Sequence, residues 1–60
     1  MRSGQLVKLK GTSNPIMTVR RVREATVNQQ TQPAAVICEW FDNNLHVQQH
    51  EFKPESLEEV

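Results

Sequence analysis

One cysteine, two histidines and a run of arginines are the residues whose types could do chemistry in this 60-residue chain. Cys38 would need a basic neighbour to hold a thiolate. Its surroundings are an apolar strand, where an unactivated thiol behaves as a small hydrophobe, so its expected place is the core. As the only cysteine it forms no internal disulfide. A structural zinc site would require three further ligands, and only His46 and His50 are candidates. Four residues apart on a strand, these two imidazoles share a face but stand about 13 Å from each other, too far for one ion. No pair of acids forms an acid/base constellation, and with two glycines in the chain no glycine-rich loop cradles phosphate. The expectation is a non-enzymatic protein with no cofactor and no metal.

Binding is the remaining class of function. Trp40 and Phe41 are adjacent aromatics, so on a strand one faces the core and the other the opposite side. Trp40 is expected inside with Val36 and Cys38. Phe41, partly covered by the terminal segment, is the candidate anchor for a partner or stacking platform for a base. Arg20, Arg21 and Arg23, joined by Lys8 and Lys10 from a neighbouring strand, are the candidate phosphate or partner contacts. The chain carries three aromatics and no tyrosine, which weighs against a single-stranded nucleic-acid platform.

Charge is zero in sum and uneven in order. The first 23 residues carry +6, and the remaining 37 carry −6, seven acids facing only Lys53. In separate regions this would suggest a basic arm. In a domain this small the two halves lie side by side, and cross-strand pairing on the solvent face is the competing expectation, each pair contributing about 0.2–1 kcal/mol.

A 6.9 kDa chain allows one domain, residues 1–60, with a thin core. Of the 37% hydrophobic residues, those other than Met1 and the alanines suffice for one small sheet or barrel. No apolar run reaches the length of a membrane span, and the N-terminal MRSGQLVKLK lacks the apolar stretch of a secretion signal, so the expected location is the cytoplasm without membrane association.

The elements that would position these residues read as strands. Gln5 to Lys10 alternates, with Val7 and Leu9 on one face and Lys8 and Lys10 on the other. Gly11-Thr-Ser-Asn-Pro15 is dense in turn formers. Ile16 to Val22 forms a second strand in which Met17 and Val19 share a face while Val22 falls on the other parity, predicting a bulge or bend near Arg20 and Arg21. Asn28 to Ala34 has nothing large to bury and reads as a mobile hairpin loop. Ala35 to Phe41 is a central strand. Asp42-Asn43-Asn44 is a tight turn into a fourth strand bearing Leu45, Val47 and Gln49. Proline in Phe52-Lys-Pro-Glu-Ser-Leu57 suits one 3₁₀ turn, with Glu58 to Val60 as a last strand.

This order is the plan of an all-β, SH3-like five-stranded barrel with one 3₁₀ turn before its last strand. Its expected core is Val7, Leu9, Met17, Val19, Val36, Cys38, Trp40, Val47, Phe52 and Leu57.

Four blocks carry a likeness: Gly4-Gln-Leu-Val-Lys-Leu-Lys10, Pro15-Ile-Met-Thr-Val19, Val36-Ile-Cys-Glu-Trp-Phe-Asp42 and Phe52-Lys-Pro-Glu-Ser-Leu57. Their order resembles the YodC-like family of small uncharacterised bacterial and phage proteins, with its G-D-x-V-x-L-K, P-x-M-T-V, V-x-C-x-W-F-D and F-x-x-x-x-L blocks. Gln5 stands where that pattern has an acid. The resemblance implies a fold and a bacterial or phage origin, and assigns no activity. Val47-Gln48-Gln49-His50 is also similar to the V-Q-I-Y strand of the type II dihydrofolate reductases, SH3-like barrels that act as tetramers, but only Val47 and Gln48 match. The leading expectation is a protein-binding adaptor, phage-encoded and acting on a host complex. The alternatives are a nucleic-acid-binding barrel with a basic strand face and, more remotely, a reductase-like homo-oligomer.

Overall fold

The computed structural model describes residues 1–60. Five antiparallel strands form one sheet: β1 (Leu6–Leu9), β2 (Met17–Val27), β3 (Gln30–Phe41), β4 (Val47–Phe52) and β5 (Leu57–Glu59), with a 3₁₀ turn at Pro54–Ser56 before β5. The spatial order is β4-β3-β2-β1-β5, so the sheet is open and β4 and β5 are its edges. The all-β class and the 3₁₀ turn match the sequence reading. A closed barrel does not form in this pairing.

Alternation builds the core. Val7, Met17, Val19, Val36, Cys38 and Leu57 are buried, drawn from four strands, and Leu9, Val22, Trp40 and Phe52 pack around them. Only six residues are fully enclosed, as a small chain's surface-to-volume ratio requires. The bulge expected near Arg20 is present, because Val19 pairs with Cys38 and Arg21 with Ile37, which leaves Arg20 as the extra residue. It returns Val22 to the core face opposite Val36. The Arg20 carbonyl at the bulge accepts the Ser3 hydroxyl at 3.1 Å. The 3₁₀ turn is anchored by the Lys10 N–H donating to the Ser56 carbonyl at 3.0 Å, and it packs against β3 from the β1–β5 side of the sheet.

Three expectations are corrected. Asn28 to Ala34 is no mobile loop: β2 and β3 continue through it as a ribbon, closed by a two-residue turn at Asn28 and Gln29 with φ of 52° and 65°. Two successive left-handed residues match the twist of a hairpin, so the ladder forms without a core to bury. The Thr26 and Thr31 hydroxyls add a cross-strand bond at 3.3 Å. At about 3.3 Å per residue, twelve-residue β3 accounts for most of the molecule's 44 Å long axis. Pro33 is accommodated beside a second bulge, where Arg23 pairs with Ala35 and Glu24 with Pro33.

Val47, expected in the core, is 54% exposed. The hairpin register sets Phe41 opposite Val47, so Val47 shares Phe41's face and lies away from Cys38. Phe41 is 64% exposed, with no terminal segment covering it to the extent expected.

Candidate functional site

Asp42 organises the β3–β4 connection. One carboxylate oxygen, Oδ1, accepts the backbone N–H of Asn44 at 2.8 Å and of His46 at 2.9 Å. The other, Oδ2, accepts the Gln48 amide at 2.9 Å and lies 3.9 Å from His46 Nδ1. The Asp42 N–H donates to the His46 carbonyl, and the Leu45 N–H to the Asp42 carbonyl, both at 3.0 Å. The backbone bond from His46, followed by the Gln48 amide, stabilises the ionised form and holds the Asp42 carboxyl below its ordinary value. This is the Asx-turn chemistry that the Asp-Asn-Asn triplet signals.

The loop presents Leu45 to solvent. Leu45 has φ of 61° and is 78% exposed. A branched apolar residue in the left-handed region is uncommon and strained, and here it is fixed by the bonds to Asp42. On the outer face at the end of the adjoining ladder, Phe41 and Val47 stand opposite each other, both exposed. Continuing the β2–β3 register from Thr18 opposite Glu39 by two residues puts Ile16, also exposed, opposite Phe41. Phe41 was legible as a candidate anchor. Leu45, Val47 and Ile16 were missed; the Asp42 turn is the signal that bears on Leu45 and Val47, since Asp42's side chain dictates which residue leaves the sheet, whereas Ile16 follows from the β2–β3 register.

The basic residues are distributed over the outer face among acids. Lys8 lies 3.7 Å from Glu58, Arg20 3.4 Å from Glu39, and Arg23 2.7 Å from Glu51. Glu39 also accepts the Gln49 amide at 3.0 Å, so Arg20, Glu39 and Gln49 run across three strands. Lys10 and Arg21 have no such acidic neighbour among the ion pairs. The topology thus brings both halves of the uneven charge distribution into register.

Cys38 is fully enclosed, and burial pushes its thiol pKa up. His46 sits in the turn beside Asp42, while His50 lies on β4 with its ring edge-on to Phe52 at 4.8 Å. Phe52 in turn meets Trp40 at 6.2 Å, which closes the core on the β4 side.

No helix is long and apolar enough to cross a membrane. Neither the curated proteins nor the solved structures contain a match to this sequence. A family model does match, over residues 2–57, and by that span the chain belongs to the family described as Uncharacterized small protein (DUF2158).

Proposed function

We propose that this protein is a non-enzymatic interaction module that docks a protein partner through Leu45, flanked by Phe41, Val47 and Ile16. The observation that carries the reading is Leu45 itself, held out at 78% exposure in a strained backbone conformation by a loop whose hydrogen bonds are satisfied. Strain of this kind has an energetic cost of order 1–3 kcal/mol, persists only where the surrounding structure over-determines it, here through the Asp42 hydrogen bonds, and clusters at ligand-contact sites. A preorganised apolar anchor loses little entropy on binding, the property that makes a good contact centre. In this reading the sheet is an opened SH3-like barrel in a single domain, its 3₁₀ turn bringing the β1–β5 end toward β3. The family is the YodC-like group, and the setting is the cytoplasm of a bacterium, where a phage-encoded copy would act on a host complex.

The test is affinity capture from bacterial lysate with the native protein and with Leu45→Ser and Phe41→Ser. The expected result is a stoichiometric protein retained by the native chain and lost from both variants. Recovery of the same protein by all three, or of none by the native chain, overturns the proposal. The nucleic-acid reading has less support, because Lys8, Arg20 and Arg23 each stand within an ion pair's reach of a carboxylate. The reductase-like reading has only Val47 and Gln48 behind it.

A further inference from the structure

The two edges of the sheet are built differently. β5 is three residues long, two of them glutamates, a short charged edge of the kind that resists pairing. β4 is six residues long, and its pairing with β3 runs from Val36 opposite Phe52 to Phe41 opposite Val47 without a bulge. From Asn43 to His50 the chain has no lysine, arginine, acid or proline. Glu51, near the end of β4 and paired with Arg23, is the one charge on this edge, so its stretch from Val47 to His50 lacks the charges, proline and bulges that protect an exposed strand.

Its backbone is also unobstructed. The Gln48 amide is turned to Asp42 and the Gln49 amide to Glu39, so neither side chain lies along the edge. The Asp42 N–H bonds to the His46 carbonyl, and antiparallel alternation from that pair turns the N–H and C=O of Val47, Gln49 and Glu51 outward.

We infer that β4 pairs antiparallel with β4 of a second copy of this chain about a two-fold axis at Gln49. Only an even-numbered register lets a two-fold axis perpendicular to the sheet relate the strands, since opposed residues must point to the same side. Centring on Gln49 sets Val47 opposite Glu51 of the partner subunit, and engages all three outward-facing residues of each strand. The charges agree with this register: each Glu51 meets a neutral valine, keeps Arg23 as its own counterion at 2.7 Å, and lies more than a Debye length from its symmetry mate. β5 offers no equivalent, because its three residues carry Glu58 and Glu59 into any such contact. The interface is small, so the association is weak and concentration-dependent. It leaves the side chains of Phe41 and Leu45 outside the β4–β4 contact, and a dimer displays two such pairs.

The experiment is sedimentation velocity from about 10 μM to about 1 mM, a range that spans weak edge pairing, together with amide exchange. The expected result is a rise from the 6.9 kDa protomer toward twice that mass. Protection of the Val47, Gln49 and Glu51 amides should rise with it, while that of the Gln48 and His50 amides is high throughout. Gln49→Pro removes an N–H that β3 does not use and should weaken association at least about tenfold. Gln49→Lys does the same by charge if the proline variant fails to fold. A protomer mass across the whole range, or a dimer that survives both substitutions, overturns the inference. Leu45→Ser should still dimerise, so loss of partner capture in that variant and loss of dimer in Gln49→Pro are separate outcomes.

Discussion

Asp42 accepts the backbone N–H of Leu45 at 3.0 Å through its carbonyl, while its carboxylate holds the N–H groups on either side of Leu45. One residue therefore sets the conformation of the next apolar side chain along, and does so from outside the hydrophobic core. The consequence is a leucine whose φ of 61° costs free energy in the native state with no packing in return.

Leu45→Asn should accordingly stabilise the fold. Asparagine tolerates the left-handed region, and an exposed leucine leaves no cavity behind, so the expected gain is about 1 kcal/mol. Urea unfolding followed by tryptophan fluorescence reads it as a higher midpoint at an unchanged slope. An unchanged or lower midpoint would show that the loop conformation carries no strain. The same variant should lose the partner that the native protein captures.

The Asp42 hub should also respond to acid. Its folded-state pKa is lowered from 3.8, chiefly by the His46 backbone bond and then by the Gln48 amide. A depressed carboxyl contributes stability that is present above its unfolded pKa and is lost as pH falls through its folded pKa. The loop should thus keep its order down to a pH below 3.8 and loosen beneath it. The amide chemical shifts of Asn44 and His46 are the direct readout, moving together with one midpoint under 3.8. Asp42→Ala should abolish that shared transition at every pH.

Much of this architecture was readable in the residues because each local signal agreed with the pairing around it. Val7, Met17 and Val19 alternate, and the parity break at Val22 announced the bulge that the sheet contains at Arg20. Pro54 announced the 3₁₀ turn. The β2–β3 ribbon escaped notice because polar Gln29, Gln30 and Gln32 give no burial signal, and the ladder there is held by backbone bonds and turn twist that hydrophobic pattern does not report. Val47 was misplaced for a related reason: a hairpin's register depends on loop length, and a left-handed Leu45 changes how many residues the loop consumes. Phe41 stood out by type, whereas the exposure of its neighbours is a property of the turn.

Cys38 should act as a packing residue. Cys38→Ser buries a hydroxyl in a fully enclosed apolar position and should cost about 1–3 kcal/mol. Cys38→Ala, which adds no polar atom, should cost less than the serine variant if desolvation dominates the effect. The native thiol should react slowly with a disulfide reagent at neutral pH, since burial raises its pKa, and rapidly once urea unfolds the chain. Rapid labelling of the folded protein would falsify this placement.

The charge pattern leads to a final expectation about Arg23 and Glu51. Their atoms are 2.7 Å apart, yet both side chains are substantially exposed, so the pair is worth little in water. A double-mutant cycle with Arg23→Ala and Glu51→Ala should give a coupling of about 0.2–1 kcal/mol at low salt, falling toward zero near 1 M salt as screening sets in. If Lys8, Lys10, Arg20, Arg21 and Arg23 instead served phosphates, binding to duplex DNA would weaken with salt at a log–log slope of about −4, and Arg20→Ala with Arg21→Ala would flatten it by about two. The carboxylates at Glu39, Glu51 and Glu58 stand where those phosphates would have to compete. Gel-shift titration at low salt with micromolar protein should therefore show no complex, while Glu39→Gln with Glu51→Gln, which raises the net charge from zero to +2 and frees two arginines, should show weak binding irrespective of DNA sequence.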